Sequence, residues 1–518
     1  MDRLEQLRRV RLEKLARLRE RGEDPYPHRF HRTHTAREIL DRFEELEEKQ
    51  PVAIAGRLMS LREMGKASFA HLQDGSGRIQ VYFRSQELPA GRYELLKLLD
   101  LGDILGVEGM PFRTRTGEIS VRASALQVLC KSIRPLPIVK EKGDQVFDSV
   151  TDKEYRYRHR HVDLLLNPQT RRSLELRSRA ITALRSFLEQ RGFLEVETPV
   201  LQVLYGGAMA RPFTTHHNAL DFDLYLRIAL ELHLKRILAG GIERVYEIGH
   251  VFRNEGMDRE HSPEFTMLEF YWAYADYVDA MDLVEEMIRS VAVATTGATR
   301  LALGGEQVDV GPPFRRVAMT DLIREATGLE VLSASEEEMA GWLRARGEEL
   351  PPVLGRGYLI EAIFDAAVVP GLHDPTFVMD HPRSISPLAK AHRGKPQDLV
   401  ERFELFILGH EYANAFTELN DPVDQRERLE EQARMRAAGD EEAQQVDEEF
   451  LTAIEHGMPP AAGVGIGVDR LVMLLSGESN IRDVLFFPLM RPDEGEEREE
   501  DEEDEEQASG PPKGENRR

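Results

Sequence analysis

An arginine, a phenylalanine and several carboxylates lie close together in VFRNEGMDREHSPEFTMLEFY, residues 251–271. Phe265, Glu269 and Tyr271 alternate, and alternate residues of a β-strand share one face. If the preceding strand pairs with this one, Arg253 and Phe265 point into one pocket. A guanidinium binds phosphate through a forked pair of hydrogen bonds, and a phenyl ring stacks on a base. The pattern is equally typical of a surface hairpin with ordinary salt bridges.

Two glutamates have apolar neighbours in the sequence. Glu269 follows along the same strand, and a buried carboxylate needs a cationic partner to remain ionised. Glu231 lies within the apolar run LYLRIALELHLKR, residues 224–236. Helical spacing alone would make Glu231 a surface residue, so a pocket role for it needs support beyond the spacing.

The segment GVGIGVDR, residues 463–470, has glycines at alternate positions. Gly463, Gly465 and Gly467 leave one face of a strand bare, and a flat ligand can lie against such a backbone. Asp469 is predicted to be a helix N-cap, with Arg470 in the first turn. The helix dipole repels an arginine there, which a bound anion would offset. Close backbone packing explains the glycines equally well, and no P-loop pattern is present.

Two further carboxylates occur in EYANAFTE, residues 411–418. Asn414, Phe416 and Glu418 share a strand face, whereas Glu411 has the opposite parity. A bulge or a strong twist is needed before both acids can reach one ion. Two carboxylates with phosphate oxygens suit Mg²⁺, which prefers octahedral oxygen ligands. The alternative is a pair of unrelated surface acids.

Two kinds of structural element would position these residues. Short alternating runs over residues 52–130, with the turns DGSG and RTRTG, predict a five-stranded OB-fold β-barrel. Residues 134–144 are predicted to form a linker.

After about residue 150, long helices alternate with strands and few βαβ units occur, which predicts an α+β domain with an antiparallel sheet flanked by helices. Residues 2–21 predict an amphipathic helix that either packs on its own domain or contacts RNA.

The composition limits the class of protein. The chain has 518 residues, one cysteine and no apolar run long enough to span a membrane, which together indicate a cytoplasmic protein. The net charge is −24, but residues 493–506 hold twelve acids and one arginine. That block predicts a disordered tail. Residues 1–22 contain eight lysines and arginines, so a local basic face remains compatible with nucleic acid.

Together these segments resemble the class II aminoacyl-tRNA synthetases, and in detail the bacterial type of lysyl-tRNA synthetase. GFLEVETPVL is similar to motif 1 of that class, FRNEG with the following strand to motif 2, and GVGIGVDR to motif 3. EFTMLEFYWAYADY and FTELND resemble the lysine enzyme, and MGKASFAHLQDGSGRIQVYF resembles its anticodon-binding OB domain. The resemblance covers residues 1–492. It divides the chain into an N-terminal helix and OB domain (1–140), a class II catalytic domain (151–492) and the acidic tail (493–518).

The resemblance implies a role for each matching residue. The catalytic residues would be Arg253, on the ATP α-phosphate, and Arg470, at the γ-phosphate; Phe265 would stack on adenine. The other implied roles are ATP contacts for Glu255 and His261; Mg²⁺ binding for Glu411 and Glu418; lysine binding for Gly207, Glu231, Glu269, Tyr271, Asn414 and Phe416; anticodon reading for Phe69, Gln80 and Glu118; and a place at the homodimer interface for Pro199.

Three positions depart from the family pattern. His410 stands where the family usually has arginine, Ala415 where it has glycine, and Leu230 where it has proline. None of the three is a proposed ligand.

The implied activity is that of a lysine–tRNA ligase. Such an enzyme joins lysine to ATP as lysyl-adenylate and transfers it to the 3′ end of tRNA(Lys), with up to three Mg²⁺ ions per site. It would act as a cytoplasmic homodimer without a membrane partner. One alternative is a catalytically inactive paralogue that binds nucleic acid through its OB domain. Another, a synthetase for aspartate or asparagine, is disfavoured by the acids at Glu231 and Glu269.

Overall fold

The structure is a computed structural model that describes residues 3–137, 140–142, 145–147, 150–351, 355–395, 397–437 and 443–492. The acidic segment 493–518, predicted to be a disordered tail, lies outside the described residues. The chain divides into two compact units, Met1–Asp152 and Lys153–Arg518. Across the described ranges, no helix combines the length and apolar character needed to cross a bilayer.

The N-terminal unit consists of short helices and a β-barrel. Its elements are α1 (Arg3–Glu20), α2 (Ala36–Asp41), α3 (Phe43–Leu46), β1 (Val52–Met64), β2 (Ala67–Gln73), β3 (Arg78–Arg84), a 3₁₀ helix (Tyr93–Leu98), β4 (Ile104–Arg113), β5 (Ile119–Cys130), β6 (Lys140–Lys142) and β7 (Gln145–Phe147). Strands β1 to β5 close into a barrel in the order β1-β2-β3-β5-β4, which confirms the predicted OB fold. The connection between β3 and β4 contains the 3₁₀ helix.

The barrel forms because its strands alternate apolar and polar residues. On β3, Ile79, Val81 and Phe83 are buried, while the residues between them face outward. Side chains of a strand alternate between the two faces, so one face fills the barrel and the other is available to a ligand. The turn DGSG joins β2 to β3, and the Asp74 carboxylate accepts backbone N–H bonds from Ser76 and Gly77.

Helix α1 packs on the barrel through its second half only. Leu15 and Leu18 are buried, and Arg11 donates to the carbonyl oxygens of Leu101 and Ser132. The first two turns of the helix are exposed. The sequence left open whether this helix packs on its own domain or contacts RNA. Its C-terminal half packs on its own unit, whereas its N-terminal turns present basic side chains to solvent.

The C-terminal unit contains the larger sheet. Its helices are α4 (Lys153–Arg158), α5 (Arg160–Leu166), α6 (Pro168–Glu189), α7 (Glu231–Ala239), α8 (Tyr277–Thr296), α9 (Met319–Thr327), α10 (Glu336–Arg344), α11 (Arg356–Ala367), α12 (Pro422–Ala437), α13 (Glu448–Glu455) and α14 (Val468–Ser476). Its strands are β8 (Leu194–Glu195), β9 (Leu201–Gln202), β10 (Thr214–His217), β11 (Phe222–Leu226), β12 (Arg244–Phe252), β13 (Glu264–Ala273), β14 (Arg300–Leu303), β15 (Glu306–Asp309), β16 (Arg315–Ala318), β17 (Thr376–Met379), β18 (Arg402–Ile407), β19 (His410–Thr417) and β20 (Ala461–Gly467). Short 3₁₀ helices lie at Val369–Gly371, Arg383–Ile385 and Ile481–Asp483.

The sheet has eight strands in the order β16-β17-β18-β19-β20-β13-β12-β8. Its pairs are antiparallel except β16 with β17 and β8 with β12, so the predicted antiparallel α+β arrangement is confirmed. The segment FLEVETPVL, residues 193–201, contains only the two-residue strand β8 and the start of β9, and Pro199 lies between them.

One face of this sheet packs on helices, and the other face is open. On β13, Leu268 and Phe270 face a large apolar core with Leu184 of α6, Val284 of α8 and Leu471 of α14. The alternate residues Phe265, Glu269 and Tyr271 face the other way. Because helices cover one side of the sheet, the polar side chains of β13 and β19 on the other side, together with the glycines of β20, line an open space.

Candidate functional site

A cavity of about 1020 Å³ lies over β13, β19 and β20. Its lining includes nearly all the site residues that the sequence predicts for this unit; among them, Glu418 alone is not part of the wall. The predicted residues that line it are Gly207, Glu231, Arg253, Glu255, His261, Phe265, Glu269, Tyr271, Glu411, Asn414, Phe416 and Arg470.

Strand pairing brings Arg253 and Phe265 together at one end of the cavity. β12 and β13 pair antiparallel with Val251 opposite Phe265, so Arg253 follows directly beyond the paired residues. The guanidinium carbon of Arg253 lies 5.2 Å from the centre of the Phe265 ring. The hairpin predicted from the alternation therefore exists, and it presents a cation and a flat aromatic side chain to the same space.

The glycine strand β20 lies between β13 and β19 and forms the floor of the cavity. A Cβ on Gly465 or Gly467 would meet its nearest neighbours only at 3.8 Å, so these glycines leave the floor open. At Gly463 a Cβ would overlap the Glu418 carboxylate and the Tyr271 ring. Both explanations of the alternating glycines therefore apply. Gly465 and Gly467 leave the backbone uncovered, and Gly463 allows close packing of side chains.

Arg470 projects from the first turn of α14 towards the same end as Arg253. Its Nη1 donates to the carbonyl oxygen of Glu411, 2.5 Å away. The prediction that Asp469 caps this helix is wrong, because the N-cap is Gly467. Asp469 instead forms a buried ion pair with Arg177 of α6 and accepts a hydrogen bond from the Thr266 backbone N–H at 2.6 Å. Helix α14 is therefore tied to both α6 and β13, which holds Arg470 in place.

Glu269 lies four residues further along β13 than Phe265 and is 4% exposed. Its two oxygens accept hydrogen bonds from the Leu230 backbone N–H at 2.9 Å and from the Tyr271 hydroxyl at 3.1 Å. Burial and the nearby charge of Glu231 raise the pKa of Glu269 to about 7. A cationic ligand would restore the ionised form.

Glu231 begins helix α7 and is buried, in contrast to the surface position that helical spacing alone would give it. Lys235, one helical turn later, donates from Nζ to Glu231 Oε1 at 2.5 Å and forms a second ion pair with Glu418. All three side chains are more than nine-tenths buried. Burial raises the pKa of Glu231 despite the Lys235 charge.

Gly207 shapes the same end of the cavity. Its φ of +87° is in the left-handed region, which favours glycine. A Cβ there would also lie 3.0 Å from the Glu231 Cβ. The loop carrying Gly207 can therefore approach α7 closely and cover the buried acids.

A bulge in β19 brings Glu411 into the cavity. Ala413 pairs with Leu405 and Glu411 pairs with Phe406, so Tyr412 has no partner on β18. The extra residue reverses the parity of the strand, as the sequence required if Glu411 was to join Asn414 and Phe416 on one face.

The structure does not bring Glu418 beside Glu411. The residue next to Glu411 is Glu404 of β18, and both line the cavity. Burial and the Glu404 carboxylate raise the pKa of Glu411 to about 7. Glu418 is paired with Lys235 instead, near Glu231 and Glu269. The geometry therefore separates the two acids that the sequence interpretation assigned to one metal.

Sequence reasoning missed Glu404, Arg402 and Lys235. Arg402 donates to Glu404 at 2.6 Å and to the Asn414 side chain at 3.1 Å, so it links two residues of the cavity wall. The parity of RFELFI was the available signal, because Arg402 and Glu404 alternate on that strand. The ion pair of Lys235 with Glu231 could also have been predicted, because residues four apart are neighbours on a helix.

The predicted anticodon residues share the outer face of the barrel in the N-terminal unit. Phe69 lies opposite Tyr82, with ring centres 4.9 Å apart. Gln80 Nε2 donates to Glu118 Oε2 at 2.6 Å. Tyr82, which the sequence interpretation left out, extends the aromatic surface towards Phe112, with the two ring centres 5.9 Å apart. Aromatic side chains beside amide and carboxylate groups provide stacking and base-edge contacts for single-stranded nucleic acid.

Comparison with known proteins places both units in described families. The family "tRNA synthetases class II (D, K and N)" matches residues 152–491, and "OB-fold nucleic acid binding domain" matches residues 52–129. The chain is 54% identical to the lysine–tRNA ligase of Pelotomaculum thermopropionicum, over 95% of this chain and 96% of the relative. It is 53% identical to that of Carboxydothermus hydrogenoformans, over 94% and 99%. The Bacillus subtilis lysine–tRNA ligase is 48% identical, over 93% and 96%.

Proposed function

The chain belongs to the class II tRNA synthetases of the D, K and N group, and to the lysine–tRNA ligases within that group, and from this membership we propose how its cavity activates lysine. The enzyme is an ATP-dependent ligase. The observation that carries the assignment of residues is the shared cavity, whose wall contains both the buried carboxylates of Glu231 and Glu269 and the guanidinium groups of Arg253 and Arg470.

The end with Glu231 and Glu269 binds the side chain of lysine. An ammonium group entering there pairs with carboxylates that are otherwise desolvated and costly. Tyr271 orients Glu269, and Gly207 lets its loop close over the site. Asn414 and Phe416 form the adjoining wall, and Glu418 joins this group in place of the metal role predicted for it. A neutral side chain would leave Glu269 without a cationic partner, so the site should discriminate strongly against neutral amino acids.

The end with Arg253 and Arg470 binds ATP. Phe265 stacks on the adenine ring while Arg253, beside it, contacts the α-phosphate. Arg470 holds the γ-phosphate end, and Glu255 and His261 contact the nucleotide from the charged loop between β12 and β13. The open glycines of β20 allow the flat base and ribose to lie against the strand.

Glu404 and Glu411 fit a divalent cation better than Glu411 with Glu418. Burial, together with the neighbouring Glu404 carboxylate, raises the pKa of Glu411, and a bound cation would offset both effects. Oxygen ligands of this kind suit Mg²⁺. When bound, Mg²⁺ would neutralise negative charge on the phosphates.

The reaction has two steps. The lysine carboxylate attacks the ATP α-phosphorus, the bond to the bridging oxygen breaks and pyrophosphate leaves with that oxygen. A ribose hydroxyl at the 3′ end of the tRNA then attacks the lysyl carbonyl and AMP leaves. Arg253 and Arg470 position the phosphates and stabilise their charge, so removing one such contact should cost about 10²–10³ in rate.

The N-terminal barrel reads the anticodon through Phe69, Gln80 and Glu118. Their common face supports the assignment, since an aromatic ring can stack on an unpaired base while amide and carboxylate groups hydrogen-bond to its edge. The partner is then a tRNA for lysine, recognised at two separate places by the two units.

We also propose a homodimer and a cytoplasmic location, as the family resemblance implies. Exposed apolar side chains cluster around Pro199, which supports a partner at this surface. They are Leu194, Val200, Leu201, Val203 and Leu204.

The test of this function is pyrophosphate exchange into ATP, measured without tRNA against the full set of proteinogenic amino acids. We expect exchange with lysine alone. Exchange driven by another amino acid, or none at all in a folded preparation, would overturn the assignment. The inactive alternative has no support, because Arg253, Glu411 and Arg470 are all present in the cavity wall.

A further inference from the structure

Lys235 has a position that the activity outlined above does not use. It lies on α7 one turn after Glu231, its side chain is completely buried, and it is not part of the cavity wall. Its ammonium lies 5.2 Å from the centre of the Phe416 ring and 6.0 Å from that of Phe450. A buried lysine of this kind needs anionic partners to remain charged.

Its partners are two acids at the end of the cavity proposed to bind the lysine side chain. Nζ donates to Glu231 Oε1 and forms an ion pair with Glu418. Apart from that ion pair, no group of the described residues is placed to satisfy either oxygen of Glu418 by hydrogen bonding. Lys235 thus contacts both acids, of which Glu231 lines the cavity and Glu418 is completely buried behind its wall.

The surrounding charges explain why such a cation is useful. Glu269 and Tyr271 face the cluster from β13, and Arg402 contributes from β18. Three buried carboxylates, those of Glu231, Glu269 and Glu418, lie close enough to influence one another, and like charges repel strongly where water screens them little. Without an internal cation the acids would turn away from one another or take up protons, and neither arrangement suits the binding of an ammonium.

We propose that Lys235 is a positioning residue for amino-acid selection: its ammonium, between Glu231 and Glu418, offsets the buried charge of Glu418 and holds the Glu231 carboxylate at the cavity wall, where it meets the side-chain ammonium of the substrate. The inference rests on the proposed lysine activation and deepens it. The competing explanation is a buried ion pair that only stabilises α7 against the sheet.

Removing the Lys235 side chain and adding a small amine in its place distinguishes the two explanations. Lys235→Ala keeps Cβ, and n-propylammonium supplies the three missing carbons and the ammonium. In pyrophosphate exchange we expect the KM for lysine to rise about tenfold or more, as for a lost charged hydrogen bond, while the KM for ATP changes much less. Added n-propylammonium should lower the KM for lysine again, whereas n-propanol should not.

Lys131 provides a matched control in the other unit. It is also a completely buried lysine between two carboxylates, those of Asp100 and Asp103. Lys131→Ala should reduce thermal stability, without raising the KM for lysine or responding to n-propylammonium. This control shows whether any buried lysine of this chain gives the same result.

Lys235→Met and Lys235→Arg decide the matter if the alanine variant does not fold. Methionine keeps most of the volume without the charge, and arginine keeps the charge. We expect the arginine variant to bind lysine more tightly than the methionine variant. An unchanged KM for lysine in Lys235→Met, equal rises in both KM values, or no rescue by n-propylammonium of folded Lys235→Ala would overturn the proposal. Failure of the wild-type protein to catalyse lysine-dependent exchange would instead remove the proposed function itself.

Discussion

At the scale of single residues, the amino-acid end of the cavity depends on buried carboxylates with dedicated partners. Glu269 is held by the Leu230 N–H and the Tyr271 hydroxyl, and Glu231 by Lys235. A proline at position 230, usual in the family pattern, has no N–H to donate to Glu269. In this chain the leucine therefore adds a hydrogen bond to the acid that the substrate would contact.

The first prediction concerns the charge of Glu269. Glu269→Gln preserves the shape of the side chain but removes the anion, so lysine-dependent pyrophosphate exchange should fall by at least about 10²-fold in kcat/KM. Thermal unfolding should show that the fold is retained. Glu264→Gln, on the same strand but exposed, is the matched control and should exchange normally. Normal lysine-dependent exchange in Glu269→Gln would place the substrate elsewhere.

The second prediction concerns pH. The pKa of Glu269 is raised to about 7, and only the ionised form attracts the ammonium of lysine. Lysine binding should therefore be strongest above pH 7 and weaken as the pH falls through that value. Well below it, kcat/KM for lysine should fall about tenfold per pH unit if one proton is responsible. A kcat/KM for lysine that stays flat between pH 6 and 8 would contradict this role.

At the scale of elements, strand parity accounts for most of what the sequence could predict. Alternation placed Phe265, Glu269 and Tyr271 on one face, and the structure shows them there because the helices cover the opposite face of β13. The bulge at Tyr412 could be stated only as a condition, since nothing in EYANAFTE marks which residue is left unpaired. Glu418 was assigned to the metal with Glu411 on the family resemblance, and its segment gives no sign of its ion-pair partner, Lys235, which lies on helix α7.

The third prediction uses the glycines of β20. Gly463→Ala would place a methyl group against Glu418 and the Tyr271 ring, so we expect a loss of about 1–3 kcal/mol in the free energy of unfolding, as for overpacking, and weaker lysine binding. Gly465→Ala meets nothing closer than 3.8 Å and should leave stability nearly unchanged. Urea titration and pyrophosphate exchange measure both effects. Equal stability of the two variants would mean that Gly463 is not required for packing.

At the scale of the whole molecule, the two units have separate surfaces and separate chemistry. The C-terminal unit contains the cavity, whereas the N-terminal barrel presents Phe69, Tyr82 and Gln80 on its outer face. The net charge of −24 predicted poorly which surface would meet nucleic acid, because it averages over both units and the acidic segment. Recognition depends on the local groups, and a change on the barrel should therefore affect only the step that involves tRNA.

The last prediction tests that separation. Phe69→Ala removes a stacking platform for one unpaired base, which typically contributes about 1–3 kcal/mol, so kcat/KM for tRNA in aminoacylation should fall about 5- to 150-fold. Pyrophosphate exchange without tRNA should remain at the wild-type rate, because the substituted side chain lies in the N-terminal unit and lines no part of the cavity. Phe112→Ala, at the edge of the same aromatic surface, should show a smaller loss. If Phe69→Ala slowed exchange as much as aminoacylation, the two tasks would not be separable in this way.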